Sequence, residues 1–465
     1  IGSIRHQLIF LFLSENLITS AIAIITGLIL SYFLFIPWFN TMASTDLEIN
    51  LLNNTNIYLF LFGLLLFITL ASGAYPAFYI SSFRPLQIIS GKQKIGSKSK
   101  FTSVLLTFQF MLAVITIIAG TTFLRTSAIN EDRDWGYDNS NKIVFNTPNL
   151  DLYNQMQNEL KQQSAVKSIA GSMDRIGLHR NIKEVTLNQD IVEVNLIKGG
   201  LNYPETFDLQ LTLGRFFDEN LTSDIDNSIL INDSFVESYG LDQPINTAVI
   251  IDSSNYFIVG VVKDFHYTNF GYDIAPTIIQ AIPDSSYRYM TVKVKPNEVQ
   301  AMSNLIKQSW HGKVDNAIYD GIIQAEVFEF YFQEMRGLRN TFIFTASFAV
   351  ILSAMGLFGL VSLNISAKMK DYSVKKVLGA SMAHLSRIVM KKYMILWFIG
   401  CLLGGYLGTL AISALLNEIY TFHSGVGIIP IVSAFSILLG VIIFTISTQL
   451  LKVRNLNPVE TLKTE

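Results

Sequence analysis

Charge is scarce in this chain of 465 residues: Asp, Glu, Lys and Arg together make up only 15%, half of the residues are apolar, and the mean hydropathy is +0.38. That balance is too apolar for an ordinary soluble chain of this length and makes a membrane protein the expectation. A net charge of −2 leaves no basic face for nucleic acid once the lysines beside the apolar runs are assigned. The single cysteine, Cys401, lies inside an apolar run, so no disulfide forms within the chain and the redox compartment is not readable from it. No Gly-x-x-x-x-Gly-Lys-Ser/Thr loop occurs. Its nearest imitation, Gly91-Lys92-Gln93-Lys94-Ile95-Gly96, has neither the spacing nor a preceding strand, which excludes nucleotide phosphates cradled by that route. There is no His-Glu-x-x-His pattern to suggest a membrane protease, and His6, His179, His311 and His423 are scattered. With no initial Met and no small-residue cleavage site, the first residues read as a truncation rather than a targeting segment.

What is present is apolar length. Six runs, at about 16 to 38, 57 to 80, 101 to 124, 341 to 364, 393 to 416 and 428 to 450, are long enough to cross about 30 Å of hydrocarbon at 1.5 Å rise per residue. Arg84, Lys92, Lys94, Lys98 and Lys100 gather between the second and third runs, and Lys368, Lys370, Lys375, Lys376, Arg387, Lys391 and Lys392 between the fourth and fifth. The positive-inside rule makes both loops cytoplasmic. Residues 39 to 56, with Asp46 and Glu48, then lie outside, as do 125 to 340 and 417 to 427.

The polar stretch from 125 to 340 is large enough for a domain with its own core. Strand-like runs at 142–145, 229–231, 248–251, 256–262 and 289–294 alternate with helical patterns at 151–163, 233–239 and 298–310, which predicts an α+β fold. Turn signals at Asn202-Tyr203-Pro204, Asp252-Ser253-Ser254-Asn255 and Pro283-Asp284-Ser285-Ser286 divide the region and leave open whether it is one lobe or two.

The chain also repeats itself. Ile1-Gly2-Ser3 followed by Gln7-Leu8 matches Leu378-Gly379-Ala380 followed by His384-Leu385, and each copy opens into an apolar run. Arg84-Pro85-Leu86-Gln87-Ile88-Ile89 closes the first block and Asn457-Pro458-Val459-Glu460-Thr461-Leu462 the second. In the second copy Val374, Val377, Leu378, Met382, Leu385, Ile388 and Val389 fall at helical spacing opposite Lys375, Lys376, Ser381, His384 and Arg387. Such a basic amphipathic helix lies on anionic lipid or docks in a groove on a partner, and Gly379 with Ala380 and Ser381 either allows close backbone approach or simply turns the chain. Gly400, Gly404 and Gly408 give the fifth run a small-residue face suited to tight helix packing. Glu15, near the cytoplasmic end of the first run, reads as an interfacial or partner-facing carboxylate or, equally, as one solvated among the headgroups. Asp264 and His266 are two ligands where a metal site needs more.

The stretch Gly356-Leu357-Phe358-Gly359-Leu360, then Lys368-Met369-Lys370-Asp371-Tyr372-Ser373-Val374-Lys375-Lys376-Val377-Leu378-Gly379-Ala380-Ser381, resembles the junction between a span and the cytoplasmic loop in permeases of the MacB and FtsX type. The usual family run before Leu-Gly-Ala-Ser is Glu-Ile-Gly-Ile-Arg-Lys. This chain departs with Asp371, Tyr372, Ser373 and Lys375, keeping the charge signs but losing a Gly and the bidentate reach of an Arg. Gly214-Arg215-Phe216-Phe217, Leu230-Ile231-Asn232-Asp233-Ser234-Phe235 and Gly260-Val261-Val262-Lys263-Asp264-Phe265-His266 are similar to the periplasmic core domain of the same permeases.

The resemblance covers the whole chain and implies a fused, two-half ABC permease of the inner membrane, a multi-pass α-helical protein with a large α+β domain outside. Residues 1–92 would end the first permease repeat, with Gly2 and Ser3 in its coupling segment. Residues 93–124 would form a third span and stalk, 125–340 the periplasmic core domain, and 341–465 the second permease domain with its coupling helix in 368–390. It further implies that Asp371, Lys375, Lys376, Leu378, Gly379, Ala380 and Ser381 meet a separate, dimeric ATPase. That ATPase would bind the ATP and Mg, while this chain holds no cofactor or metal and is not itself an enzyme. Gly356 and Gly359, with the glycines of the fifth run, would pack helices, and Gly214, Arg215, Lys263, Asp264 and Phe265 would mark the periplasmic motif. Family members extrude macrolides or peptides, release lipoproteins, or regulate wall hydrolases without moving a substrate. Partners outside would accordingly be a periplasmic adaptor, an outer-membrane channel, a lipoprotein or a hydrolase. A membrane receptor is the competing class, but it needs a signalling domain after the last span, and a hydrolase needs a nucleophile with its base.

Overall fold

The computed structural model describes residues 5–43, 46–48, 55–81, 100–177, 180–314, 318–378 and 381–454. In chain order, α1 (Arg5–Leu30) passes through a π-helical turn (Ser31–Phe35) into α2 (Ile36–Ala43), followed by α3 (Thr55–Ser81) and α4 (Lys100–Glu131). Next come β1 (Lys142–Asn146), α5 (Leu150–Leu160), β2 (Val166–Ser172), β3 (Ile182–Leu187), β4 (Asp190–Gly199), β5 (Leu211–Gly214), β6 (Ser228–Asn232) and α6 (Asp233–Tyr239). The remainder is β7 (Ala248–Ile251), β8 (Ser254–Val262), β9 (Thr277–Ala281), β10 (Tyr289–Val294), α7 (Val299–His311), β11 (Ile322–Ile323), α8 (Glu329–Ala367), α9 (Met369–Val377), α10 (Met382–Ile419) and α11 (Ile428–Arg454). Contacts divide the chain into two compact units. One holds Ile1–Leu124, Gln333–Ser413 and Val426–Glu465, and the other Arg125–Phe332 with Ala414–Gly425.

Among the described residues six helical stretches are long and apolar enough to span a membrane: Ile9–Met42, Thr55–Gly73, Thr102–Glu131, Gln324–Ala367, Ser386–Ile419 and Ile428–Leu451. They coincide with the six apolar runs. The first two expose apolar side chains nearly all round, such as Phe10, Phe33, Phe60 and Phe67, as helices solvated by lipid do. The third, α4, is the most enclosed, with Leu106, Phe110, Ala113, Val114, Ile117 and Ile118 buried. The charged loop at 82–99, which orients the first pair, lies outside the described residues.

The second unit carries one continuous sheet in two parts. Strands β4, β3, β7, β8, β6 and β9 pair in that order, and β9 returns parallel to β4 through Asn195↔Thr277 to Gly199↔Ala281, closing a six-stranded barrel. Alternating residues fill it: Val194 and Leu196 from β4, Val185 and Leu187 from β3, Ile229 and Ile231 from β6, with Ile258, Val261 and Ile278. Strands β11, β1, β10 and β2 form an open extension joined to the barrel at Ser172↔Gly199. Ile143 and Phe145 point to the core under α5 and α7, around Trp310. Val144 between them faces a second cluster with Tyr203, Phe207 and Phe265. The region is therefore two lobes on one sheet.

Turn chemistry sets the register. At Asp252 (φ 47°) and Ser253 (φ 69°) the chain takes the two left-handed residues of a tight hairpin between β7 and β8. Asn188 (φ 51°) and Gln189 (φ 73°) do the same between β3 and β4 without any glycine, so this hairpin carried no sequence signal. Strands β2, β3, β4, β5, β9 and β11 are additions to the predicted set. Helix α6 is capped by Asn232, whose side chain accepts from Phe235 N–H, and stops before Gly240 in the left-handed region.

Candidate coupling and transmission site

The basic segment after α8 is not the single amphipathic helix that its periodicity predicts. α9 ends at Val377, α10 begins at Met382, and Ser381 caps α10 by accepting the His384 N–H at its hydroxyl (3.3 Å) and its carbonyl (3.0 Å). The apolar spacing continues across a break in which the described residues Leu378 and Ser381 are not helical. Gly379 and Ala380, like Gly2 and Ser3, lie outside the described residues. Asp371 sits in the first turn of α9, where a carboxylate is favoured by the helix dipole. Tyr372 anchors α9: it is buried in a cluster with Ile365, Val389, Tyr393 and Ile446. Beside it the Asn364 amide donates to the Tyr393 hydroxyl at 2.8 Å. The other side of the elbow is open. Val374, Val377 and Leu378 are 45%, 65% and 80% exposed, and Lys375 is exposed beside them. Fixed on one face and apolar-basic on the other, the elbow has the surface of a docking element; nothing is described of the Lys376 side chain.

The glycine face of α10 meets α4. A Cβ at Gly400 would stand 2.7 Å from Phe110 Cβ and 3.1 Å from the Thr107 carbonyl oxygen, and one at Gly404 would stand 2.7 Å from the Met111 carbonyl oxygen. Gly408 has more room, 3.3 Å to Ile115 Cα. The helices come together because these positions lack side chains. Gly356 is filled by the Gln109 side chain, 2.4 Å from where a Cβ would lie. At Gly359 a Cβ would meet nothing within 4 Å among the described residues. Gly120, which no sequence pattern singled out, backs onto the Phe342–Ile343 backbone at 3.3–3.4 Å. Glu15 stands exposed on α1.

The periplasmic motif residues serve the architecture of the second unit. Gly214 (φ 78°) brings β5 against the Val259 carbonyl, 2.3 Å from where a Cβ would be. Arg215 next to it grips Asp224 with two bonds, Nη1 to Oδ2 at 2.5 Å and Nη2 to Oδ1 at 2.9 Å. Asp224 is fully buried and also accepts from Asp218 N–H and Ser228 Oγ, both at 2.8 Å. The guanidinium, helped by these donors, holds the Asp224 carboxyl below the usual range. Asp264 accepts from Asn232 Nδ2 (2.8 Å), Ser234 N–H (2.9 Å) and Ser234 Oγ (2.6 Å), which ties the end of β8 to the start of α6. Phe265 is core. Lys263 lines a cleft of about 300 Å³ with Asp134, Asp138 and Asp208. Nearby, Lys142 and Lys293 face each other across β1 and β10, and Asp208 bridges both. His266 is buried against Trp135 and Phe270, and burial, followed by the Arg133 charge, lowers its pKa to about 4. Among the described residues no three His, Cys, Asp or Glu side chains gather as a metal site.

Among the described residues, six membrane-length helices and an α+β domain with a β-barrel, its motif residues engaged in structure, define a multi-pass membrane protein with an extracytoplasmic domain. The chain belongs to the ABC-type transporter permease family. Its residues 1–85 and 343–458 match the FtsX-like permease C-terminal family, and 104–309 match the MacB-like periplasmic core domain. Among solved structures it is similar to the periplasmic region of MacB from Actinobacillus actinomycetemcomitans, at 17% identity over 42% of this chain and 94% of that one, with a TM-score of 0.31. The extracellular domain of the noncanonic ABC-type transporter YknZ from Gram-positive bacteria is similar at 15% identity over 39% of this chain and all of that one, with a TM-score of 0.29. No curated protein matches the chain.

Proposed function

We propose that this chain is the non-catalytic permease subunit of an ABC transporter in the inner membrane. It passes the motion of a separate, dimeric ATPase, which binds the ATP and Mg, to the extracytoplasmic domain. The observation that carries this reading is the elbow at α9. A segment held by buried Tyr372 while presenting Val374, Val377, Leu378 and Lys375 is built to be pushed by a partner and to pass the push into helix packing. Helix lengths support it. At 1.5 Å per residue α4, α8 and α10, of 32, 39 and 38 residues, run roughly 48, 58 and 57 Å. About 30 Å of hydrocarbon needs far less. The work done outside is efflux of a peptide or drug-like cargo, or release of a lipoprotein.

The test is thiol protection in a Cys401→Ala background. A cysteine at Leu378 should react with a permeant maleimide in the isolated permease and be shielded in the complex with its ATPase, whereas one at Ile191, exposed on the extracytoplasmic domain, should react equally in both. Equal labelling at Leu378 with and without the ATPase would reject the docking role.

A further inference from the structure

The segment joining α10 to α11 is held far more firmly than a helix connection requires. Antiparallel helices need only a few residues between them. Here Ala414–Gly425 packs as part of the second unit, and its contacts reach two separate stretches of that unit, 126–133 and 266–271. Phe422 lies under the Arg133 guanidinium, 3.7 Å from ring centroid to Cζ, and the same ring meets His266 edge-on at 5.8 Å and 88°. The Phe422 carbonyl accepts from buried Asn130 Nδ2 at 3.0 Å, and that amide also donates to the Thr126 carbonyl at 2.9 Å. Thr126 and Ser424 hydroxyls stand 3.3 Å apart. Thr421 Oγ1 donates to the Gly271 carbonyl at 2.7 Å. Arg133 makes no ion pair among the described residues, so the rings of Phe422 and, at 5.7 Å, Phe270 face its charge. His266 in turn donates its backbone N–H to the Trp135 carbonyl, and Trp135 stacks on Phe328 at 4.6 Å and 10°.

We infer that the 420–425 loop is a tether through which α10 pulls on the extracytoplasmic domain, a line of transmission separate from the polypeptide continuity of α4 and α8. α10 begins directly after the elbow at Ser381 and ends at Ile419, one residue before the tether. A displacement of the elbow therefore reaches Arg133, His266 and Gly271 along a single helix and then through side-chain and carbonyl contacts. This inference rests on the force-transmission reading above. Phe422, Asn130 and Arg133 act as positioning residues in it. Polar bonds at Thr421 and Ser424 fix the direction of pull, and the Phe422 ring spreads the load over the aromatic block of Trp135, His266 and Phe270.

Hydrogen–deuterium exchange on the full permease with its co-purified ATPase, comparing ATP–Mg with ADP–Mg, tests it. In the wild type the nucleotide should change exchange at 126–135 and at 264–272. Phe422→Ala should keep the ATPase bound and the response of α9 intact, and lose the response at 264–272. In a Cys401→Ala background, oxidising Thr126→Cys with Ser424→Cys in the Phe422→Ala chain should restore that response through the covalent link, which a merely space-filling role for Phe422 would not allow. An unchanged response at 264–272 in Phe422→Ala, or a failure of the formed disulfide to restore it, overturns the tether. No nucleotide response anywhere in the wild type overturns the force-transmission reading and the tether with it.

Discussion

Between α4 and α10 close contact comes from taking side chains away: Gly400 and Gly404 let the backbones approach until a Cβ would stand 2.7 Å from its neighbour. In the barrel contact comes from adding them, with Ile229, Ile231, Phe235, Ile258 and Ile278 all fully enclosed. The solvents explain the contrast. Lipid tails are as apolar as Leu, so membrane helices gain by shape fit and backbone proximity. The domain outside gains about 25 cal/mol for each Å² of apolar surface removed from water. Each unit should accordingly fail in its own way, through excess volume in one and through lost volume or lost pairing in the other.

The largest effect is expected where the domain joins burial to charge. Arg215→Ala leaves the fully buried Asp224 without its bidentate partner and should cost about 3 kcal/mol, read as a fall in the urea midpoint of the domain. Arg215→Lys should recover part of it, since one bond replaces two. A midpoint within experimental error of wild type would mean that the Arg215–Asp224 pair does not hold this corner.

Next comes overpacking in the membrane. Gly404→Leu should destabilise the helix unit by about 1–3 kcal/mol, seen as a lower aggregation temperature in detergent, and Gly404→Ala should show the same sign. Gly359→Ala, with open space around it, should be neutral or stabilising, because Ala is the better helix former. Equal sensitivity at 359 and 404 would break the contrast between the two kinds of contact.

The pH dependence is smaller and confined to the domain outside. His266 titrates at about 4 when folded, against 6.5 in a model peptide, so the unfolded chain takes up its proton first. Stability from burying it neutral is complete above about 6.5 and is lost as the pH falls towards 4. Asp224, whose folded pKa is lowered, adds a second loss below the usual carboxylate range. A melting temperature that declines between pH 6.5 and 4 in the wild type and is flatter in His266→Phe would support this assignment. Identical slopes would place the proton uptake elsewhere.

What could be read from the sequence follows from the same contrast. Apolar length alone gave the six spans, and strands such as β6, β8 and β10 stood out because β-branched residues run together in them. β2, with Val166-Lys167-Ser168-Ile169-Ala170-Gly171-Ser172, lacks that density, and the parallel closure of β9 on β4 joins segments distant in sequence. At the elbow a continuous helical period concealed the break and with it the capping role of Ser381. Gly214-Arg215 was legible as a motif while its purpose was not, because Asp224 follows nine residues later in a turn that carries no pattern. Phe422 had no signal beyond being an aromatic in a short loop.

The most direct measurement of the central claim, that the elbow after α8 docks on an ATPase, is the behaviour of Gly379→Trp. A bulky ring there would clash with a partner held at close backbone range, so the account predicts normal insertion, a normally melting outer domain, and loss of both the co-purified ATPase and its stimulated turnover. Trp is favoured at a lipid interface, so an elbow that merely lay on the membrane would tolerate it or bind lipid more tightly. Wild-type ATPase recovery and turnover in Gly379→Trp would contradict the account.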